Sequence, residues 1–166
     1  MRVPALAATV ALAANTAFAI STASVHNKCN FPVWVTSVSD IQGEAKMLAP
    51  GSYYTETQQT AQDGVGTAIK ITRTETGLYT SAPVLIFGYS YKEHAQLYYG
   101  LSTAFGFDFW DQKLRIHNTD GLHVEEIIWM GEPKPDYTAA FLGAADLTLE
   151  LCDDFAQTDE DLTEDD

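Results

Sequence analysis

The chain has 166 residues, 23 of them acidic and 9 basic, giving a formal charge of −14. That balance argues against nucleic acid as a partner, which needs a basic face, and against binding to anionic lipid. With its two ends set aside, the length fits one domain, able to bury about two-thirds of the surface its unfolded chain exposes.

Residues 1–19 read as a secretory signal peptide. Met1-Arg2 gives the positive start, an apolar run centred on Leu6 to Ala14 follows, and Ala17-Phe18-Ala19 fits a small-x-small cleavage pattern with the cut after Ala19. That run is too short to span a bilayer, and no later stretch reaches about 18 apolar residues. The mature chain is therefore expected to be secreted, with no membrane insertion, and monomeric.

Residues 20–152 show a hydrophobic period of two. Val25, Asn27 and Cys29 alternate with Ser24, His26 and Lys28. "FPVWVTSVS" is rich in β-branched and aromatic residues, and Pro32 marks an edge position or a strand beginning. "LAPGSYY" holds a Pro50-Gly51 turn signal. "TAIKITR" sets Ile69 and Ile71 on one face and Lys70 and Thr72 on the other, as a half-buried strand does. "VLIFGYSYK", "QLYYGLS", "KLRIH", "EEIIWM" and "DLTLELC" continue the pattern, the last with Leu147, Leu149 and Leu151 on one face. About nine short strands between Gly, Pro, Asp and Ser clusters predict an all-β sandwich or barrel. The segment from Pro133 to Ala145 is the one place where a short helix is expected.

Residues 153–166 form a distinct end. Eight of these 14 residues are acidic and none is basic, so the segment reads as a solvated, self-repelling, disordered tail.

Two cysteines occur, Cys29 and Cys152. In an oxidising compartment an even pair is most simply one disulfide. No C-x-x-C motif supports a metal or redox pair. If the Leu147 face is the core, Cys152 points the other way, so the bridge must lie at the strand's end or the strand must carry a bulge.

The chemistry-bearing groups are few. Ser90 follows Gly88, but Lys92 replaces the closing glycine of a nucleophile elbow and the segment reads as mid-strand. His117, Asp120, His123, Glu125 and Glu126 are metal-capable types, yet no known ligand spacing matches and "NTDG" reads as a turn, so no metal is expected. "DGVGTAIK" lacks the helix N-terminus that phosphate binding needs, so no cofactor is expected either. Asp108 and Asp111 form the best carboxylate pair, set among Phe107, Phe109 and Trp110. Aromatic faces beside acids hold sugars by ring stacking and hydrogen bonding. Phe107, Asp108, Trp110 and Asp111 are therefore the candidate ligand surface, against a plainer reading as a packed turn between strands. A retaining glycosidase would need two carboxyls about 5–5.5 Å apart, which a loop spacing of three neither guarantees nor forbids.

Several segments in order, "VHNKCNFPVWVTSV", "LAPGSYYTE", "GTAIKITRTETGLYTSAPVLIFGYSY", "LYYGLSTAFGFDF" and "DLTLELC", resemble the Blastomyces yeast-phase-specific protein family of fungal secreted proteins. The resemblance spans about Ala23 to Cys152. It implies a thaumatin-like antiparallel β-sandwich of about nine to eleven strands, secretion, and a terminal disulfide joining Cys29 to Cys152. Members often carry a second cysteine pair, which this chain lacks entirely. Plant-type thaumatin-like proteins place two cleft aspartates linked to glucan binding where this chain reads Gly100, ahead of Ser102, and Phe105, ahead of Gly106. That substitution argues against glycosidase chemistry. The expected function is thus a non-enzymatic extracellular protein that binds cell-wall polysaccharide or an extracellular protein partner. The rivals are a weak β-1,3-glucan hydrolase using Asp108 and Asp111 and an effector acting on a host or competitor protein.

Overall fold

The structure is a computed structural model that describes residues 21–59, 65–92 and 96–154. The expected leader with its cleavage after Ala19, and the acidic tail from residue 155 onward, lie outside the described residues. Eleven strands follow in order: β1 (Thr22–Asn27), β2 (Val33–Val38), β3 (Lys46–Leu48), β4 (Tyr53–Thr57), β5 (Thr67–Thr72), β6 (Val84–Lys92), β7 (Gln96–Phe105), β8 (Lys113–His117), β9 (Ile127–Met130), β10 (Tyr137–Leu142) and β11 (Leu147–Asp153). The helix expected between Pro133 and Ala145 is not formed; β10 occupies that segment, pairing with β7 at the edge of a sheet. The one helical turn among the described residues is a 3-10 turn at Gly77–Tyr79. No helix of the described residues is long and apolar enough to cross a membrane.

The strands make two sheets. One has the order β4-β1-β11-β8-β9 and the other β10-β7-β6-β5-β2-β3. Alternation places one face of each in a shared core. Val25, Leu114, Ile116, Leu147, Leu149 and Leu151 come from the first sheet, and Val35, Ile69, Ile71, Phe87 and Leu97 from the second. Pro32 lies just before β2, which is an inner strand, so proline here marks a strand beginning and not an edge.

Among the described residues every strand pairing is antiparallel except one: β1 and β11, near the two ends of the domain, run parallel side by side. Cys29, just after β1, is bonded to Cys152 across that seam, closing a separation of 123 residues. The bulge needed to turn Cys152 is present. Leu151 pairs with Leu114 and Asp153 with Lys113, leaving Cys152 as the extra residue in a left-handed conformation, φ 55°. Asn27, fully buried at the end of β1, is satisfied on both sides of its amide. Its nitrogen donates to the carbonyls of Phe31 and Leu48, and its oxygen accepts from the Cys29 N–H.

The outer face of this seam is ionic. Glu150 on β11 accepts from Lys28 at 2.6 Å, from His26 at 3.0 Å and from His117 at 3.2 Å. Asp153, the last residue of β11, lies one residue past the expected domain end and accepts from Lys28 at 2.7 Å and Lys113 at 3.2 Å. The Tyr53 ring stacks on His26 with centroids 3.9 Å apart. Burial alone would raise both carboxyl pKa values. Hydrogen bonds and charge from Lys28, with His117 for Glu150 and Lys113 for Asp153, hold them below the ordinary range instead.

Two outcomes follow from the seam. Replacing both cysteines by alanine should lower unfolding free energy by about 4–5 kcal/mol, the chain-entropy figure for so large a loop. Denaturant titration of oxidised protein and variant measures it, and equal midpoints would contradict the bridge's role. The ionic network should also make stability pH-dependent. A carboxylate with a depressed folded pKa stabilises above its unfolded value, about 4, and loses that contribution as pH falls through the folded value. Stability should thus decline below about pH 4, and Glu150→Gln should flatten that decline while costing about 1.5–3 kcal/mol at neutral pH.

Candidate functional site

The loop after β7 is held from several sides. Phe109 is fully buried and packs near Phe31 and Phe107, with centroids 6.4 and 6.3 Å away. The Arg73 guanidinium lies 3.5 Å over the Phe31 ring and donates to the Asp108 carbonyl at 3.2 Å. Asp111 sits at φ 61°, and its N–H donates to the Gly131 carbonyl at 2.8 Å. Gly131, at φ 89°, allows that approach, since a Cβ there would meet the Asp111 Cα at 3.2 Å.

Of the four residues singled out in this loop, Trp110 and Asp111 line a cavity of about 330 Å³ with Met130, Gly131 and Glu132. Phe107 is half-buried and meets Trp110 edge-on, with centroids 5.2 Å apart. Asp108 stands outside that lining. The second carboxylate at the cavity is therefore Glu132, a residue that loop spacing did not single out.

The histidine and acid groups from the end of β8 onward are drawn apart by separate partners. His117 turns to Glu150, Glu126 makes a two-point pair with Arg115 at 3.0 and 2.6 Å, and Glu125 accepts from the Tyr137 hydroxyl at 2.5 Å. The Arg115 hydrogen bond holds the Glu126 carboxyl below its usual range. Asn118 closes the turn by accepting from the N–H groups of Asp120 and Leu122. Among the described residues no group of three or more His, Cys, Asp or Glu is placed to hold a metal.

A larger concavity lies elsewhere, on the outer face of the six-stranded sheet. Strand register sets Thr138 beside Gly100, Gly100 beside Gly88, Gly88 beside Ala68 and Ala68 beside Val38. These residues form one row across five strands, about 19 Å at the usual strand spacing. One flanking row carries Tyr98 and Ser90, the other Ser102, Ile86 and Lys70. Low floor and raised walls make a trench of about 550 Å³. Among the described residues its lining carries one carboxylate, Asp136, at one end, and one cation, Lys70.

The two floor glycines differ in what they permit. A Cβ at Gly100 would fall 2.5 Å from the Tyr137 carbonyl, so β10 docks only because the side chain is absent. A Cβ at Gly88 would meet nothing within 4 Å, so packing does not require that glycine. Glycine in a strand interior is found at bulges, at tight bends and where a ligand or another backbone approaches closely, and at Gly88 no other backbone does so. The sequence carried this signal in "IFGYS" and "YYGLS", but their adjacency needed the register. Gly100→Ala should cost about 1–3 kcal/mol through steric overlap, whereas Gly88→Thr should leave stability unchanged or raise it by up to about 1 kcal/mol. Thermal unfolding of the two variants decides this, and equal losses would contradict the open floor at Gly88.

A model of the Blastomyces yeast-phase-specific protein family matches residues 10–153. Among solved structures, the protein elicitor MoHrip2 from Magnaporthe oryzae is 23% identical with a TM-score of 0.65, over 80% of this chain and 99% of that one. The thaumatin-like xylanase inhibitor TLXI is 13% identical with a TM-score of 0.57, over 79% of this chain and 99% of that one. At these identities the likeness shows the fold alone. No curated protein matches significantly. The chain therefore belongs to the Blastomyces yeast-phase-specific protein family and has the thaumatin-like all-β fold.

Proposed function

We propose that this protein is a secreted, non-enzymatic binding protein that holds a cell-wall polysaccharide along the outer-face trench. The row of small residues across five strands carries the reading, because it gives an extended ligand a shallow floor with hydroxyl and aromatic walls. Ser90, Ser102 and Tyr98 offer groups that can exchange hydrogen bonds with sugar hydroxyls. Hydrolysis of a glycosidic bond ordinarily uses two flanking carboxyls, and among the described residues Asp136 is the single carboxylate in the lining. That supports binding over cleavage. Secretion is supported by the leader pattern ending at Ala19 and by the Cys29–Cys152 bridge, which belongs to an oxidising compartment.

An extracellular protein partner is the second reading. Its support is the loop end of the sandwich, where Trp110 and Met130 are more than half exposed around the cavity that Asp111 and Glu132 also line. Exposed tryptophan and methionine are typical anchors of protein interfaces. The names of the two structural neighbours, an elicitor and an enzyme inhibitor, accord with a protein that acts by binding.

Depletion of the pure mature protein by insoluble β-glucan, chitin and mannan separates these readings. At least one polymer should remove the wild type, and Gly88→Tyr, which fills the floor, should stay in solution with an unchanged thermal midpoint. Depletion by none of the three would overturn the polysaccharide reading in favour of a protein partner. No reducing ends should be released from β-1,3-glucan, by the wild type or by the Asp108→Asn/Asp111→Asn variant; release that the variant loses would establish the hydrolase.

A further inference from the structure

Near its end β7 advances three residues where β6 advances two: Ile86 pairs with Ser102, but Val84 pairs with Phe105. This bulge reverses the alternation. Without it Ala104 would face Val84 and the Phe105 ring would point toward the core. With it, Phe105 stands on the outer face, 63% exposed. A fold that had only to bury this ring would not carry the extra residue.

The redirected ring borders a second cavity, of about 340 Å³, shared with Tyr79, Gln42 and Lys70. Tyr79 is itself 76% exposed and accepts a hydrogen bond from the Gln42 side chain at 2.8 Å. It is carried on a 3-10 turn seated against β5, where a Cβ at Gly77 would come within 2.7 Å of Thr72. Lys70 lines both this cavity and the trench, so the two adjoin at one side chain. Its ammonium lies 5.9 Å from the Phe105 centroid, and among the described residues it has no ion-pair partner.

We infer that the cavity bordered by Phe105 and Tyr79 is a ring-stacking subsite that prolongs the trench and selects an uncharged glycan chain. This rests on the reading of the trench as a glycan site. Two exposed rings can cover the C–H face of a sugar, while the Gln42 amide and the Lys70 ammonium bond its hydroxyls. Uncharged ligand is favoured because, among the described residues, the two linings together hold one cation and one carboxylate, Lys70 and Asp136. A polyanion would meet the field of a chain whose formal charge is −14.

Calorimetric titration with β-1,3-gluco-, chito- and manno-oligosaccharides of increasing length tests the subsite. Wild-type affinity for the preferred series should keep rising after the trench is filled. Phe105→Ala and Tyr79→Ala should each lower the affinity of long oligomers about tenfold and leave the short, trench-filling oligomer unaffected. Both side chains are exposed, and an unchanged thermal midpoint confirms that each variant is folded. Length dependence that survives both substitutions overturns the subsite while the trench reading stands. Equal weakening of short and long oligomers also overturns it. Tighter binding of uronic-acid oligomers of equal length overturns the selection for uncharged chains. No binding of any neutral series by the wild type overturns the subsite together with the trench reading.

Discussion

The parallel pairing of β1 with β11 is the constraint on which the rest of the structure depends. It brings the two ends of the domain side by side, so the nine intervening strands must complete both sheets within one closed circuit. Such non-local pairing carries a large loop-closure cost in the unfolded chain. The Cys29–Cys152 bond reduces that cost at the seam itself. The same seam is held on both of its faces. Leucines of β11 fill the core on the inner side, and Glu150 and Asp153 bind Lys28, Lys113 and two histidines on the outer side.

The two outer faces of the sandwich consequently differ in kind. On the five-stranded sheet, charged and hydroxyl side chains satisfy one another, and Ser24, Thr148 and Glu150 are buried although they point away from the core. On the six-stranded sheet the outward row is Gly, Gly and Ala at its centre, and among the described residues no ionic network crosses it. A surface whose polar groups are mutually satisfied has little left to offer a ligand. A surface floored by glycine leaves backbone and flanking side chains accessible. The stable seam and the open trench are thus complementary features of one fold, with the cross-link on the sheet opposite the one that carries the concavity.

The elements that sequence revealed were those with strong alternation. Leu147, Leu149 and Leu151 marked β11, and the conflict between their face and Cys152 pointed to the bulge that the structure contains. The short β3 was missed because three residues carry too little periodicity. The helix expected near β10 reflects local propensity: Ala139 and Ala140 favour helix, and tertiary pairing with β7 overrode that preference. In the loop after β7, aromatic packing was legible but the exclusion of Asp108 from the cavity was not. The trench was beyond reach for a different reason. Gly88 and Gly100 are visible in sequence as mid-strand glycines, but that they adjoin each other and Ala68 depends on the register of three strands. Phe105 faces outward only because of a one-residue shift between β6 and β7.

Backbone amide NMR spectra of the mature protein, recorded during titration with soluble β-1,3-gluco-, chito- and manno-oligosaccharides, test the central claim most directly. The account predicts shift changes clustered on Ala68, Lys70, Ile86, Gly88, Ser90, Tyr98, Gly100 and Ser102, with the β1–β11 seam silent. Changes centred on Trp110, Asp111 and Met130, or on the Glu150 face, with the trench residues unmoved, would contradict it.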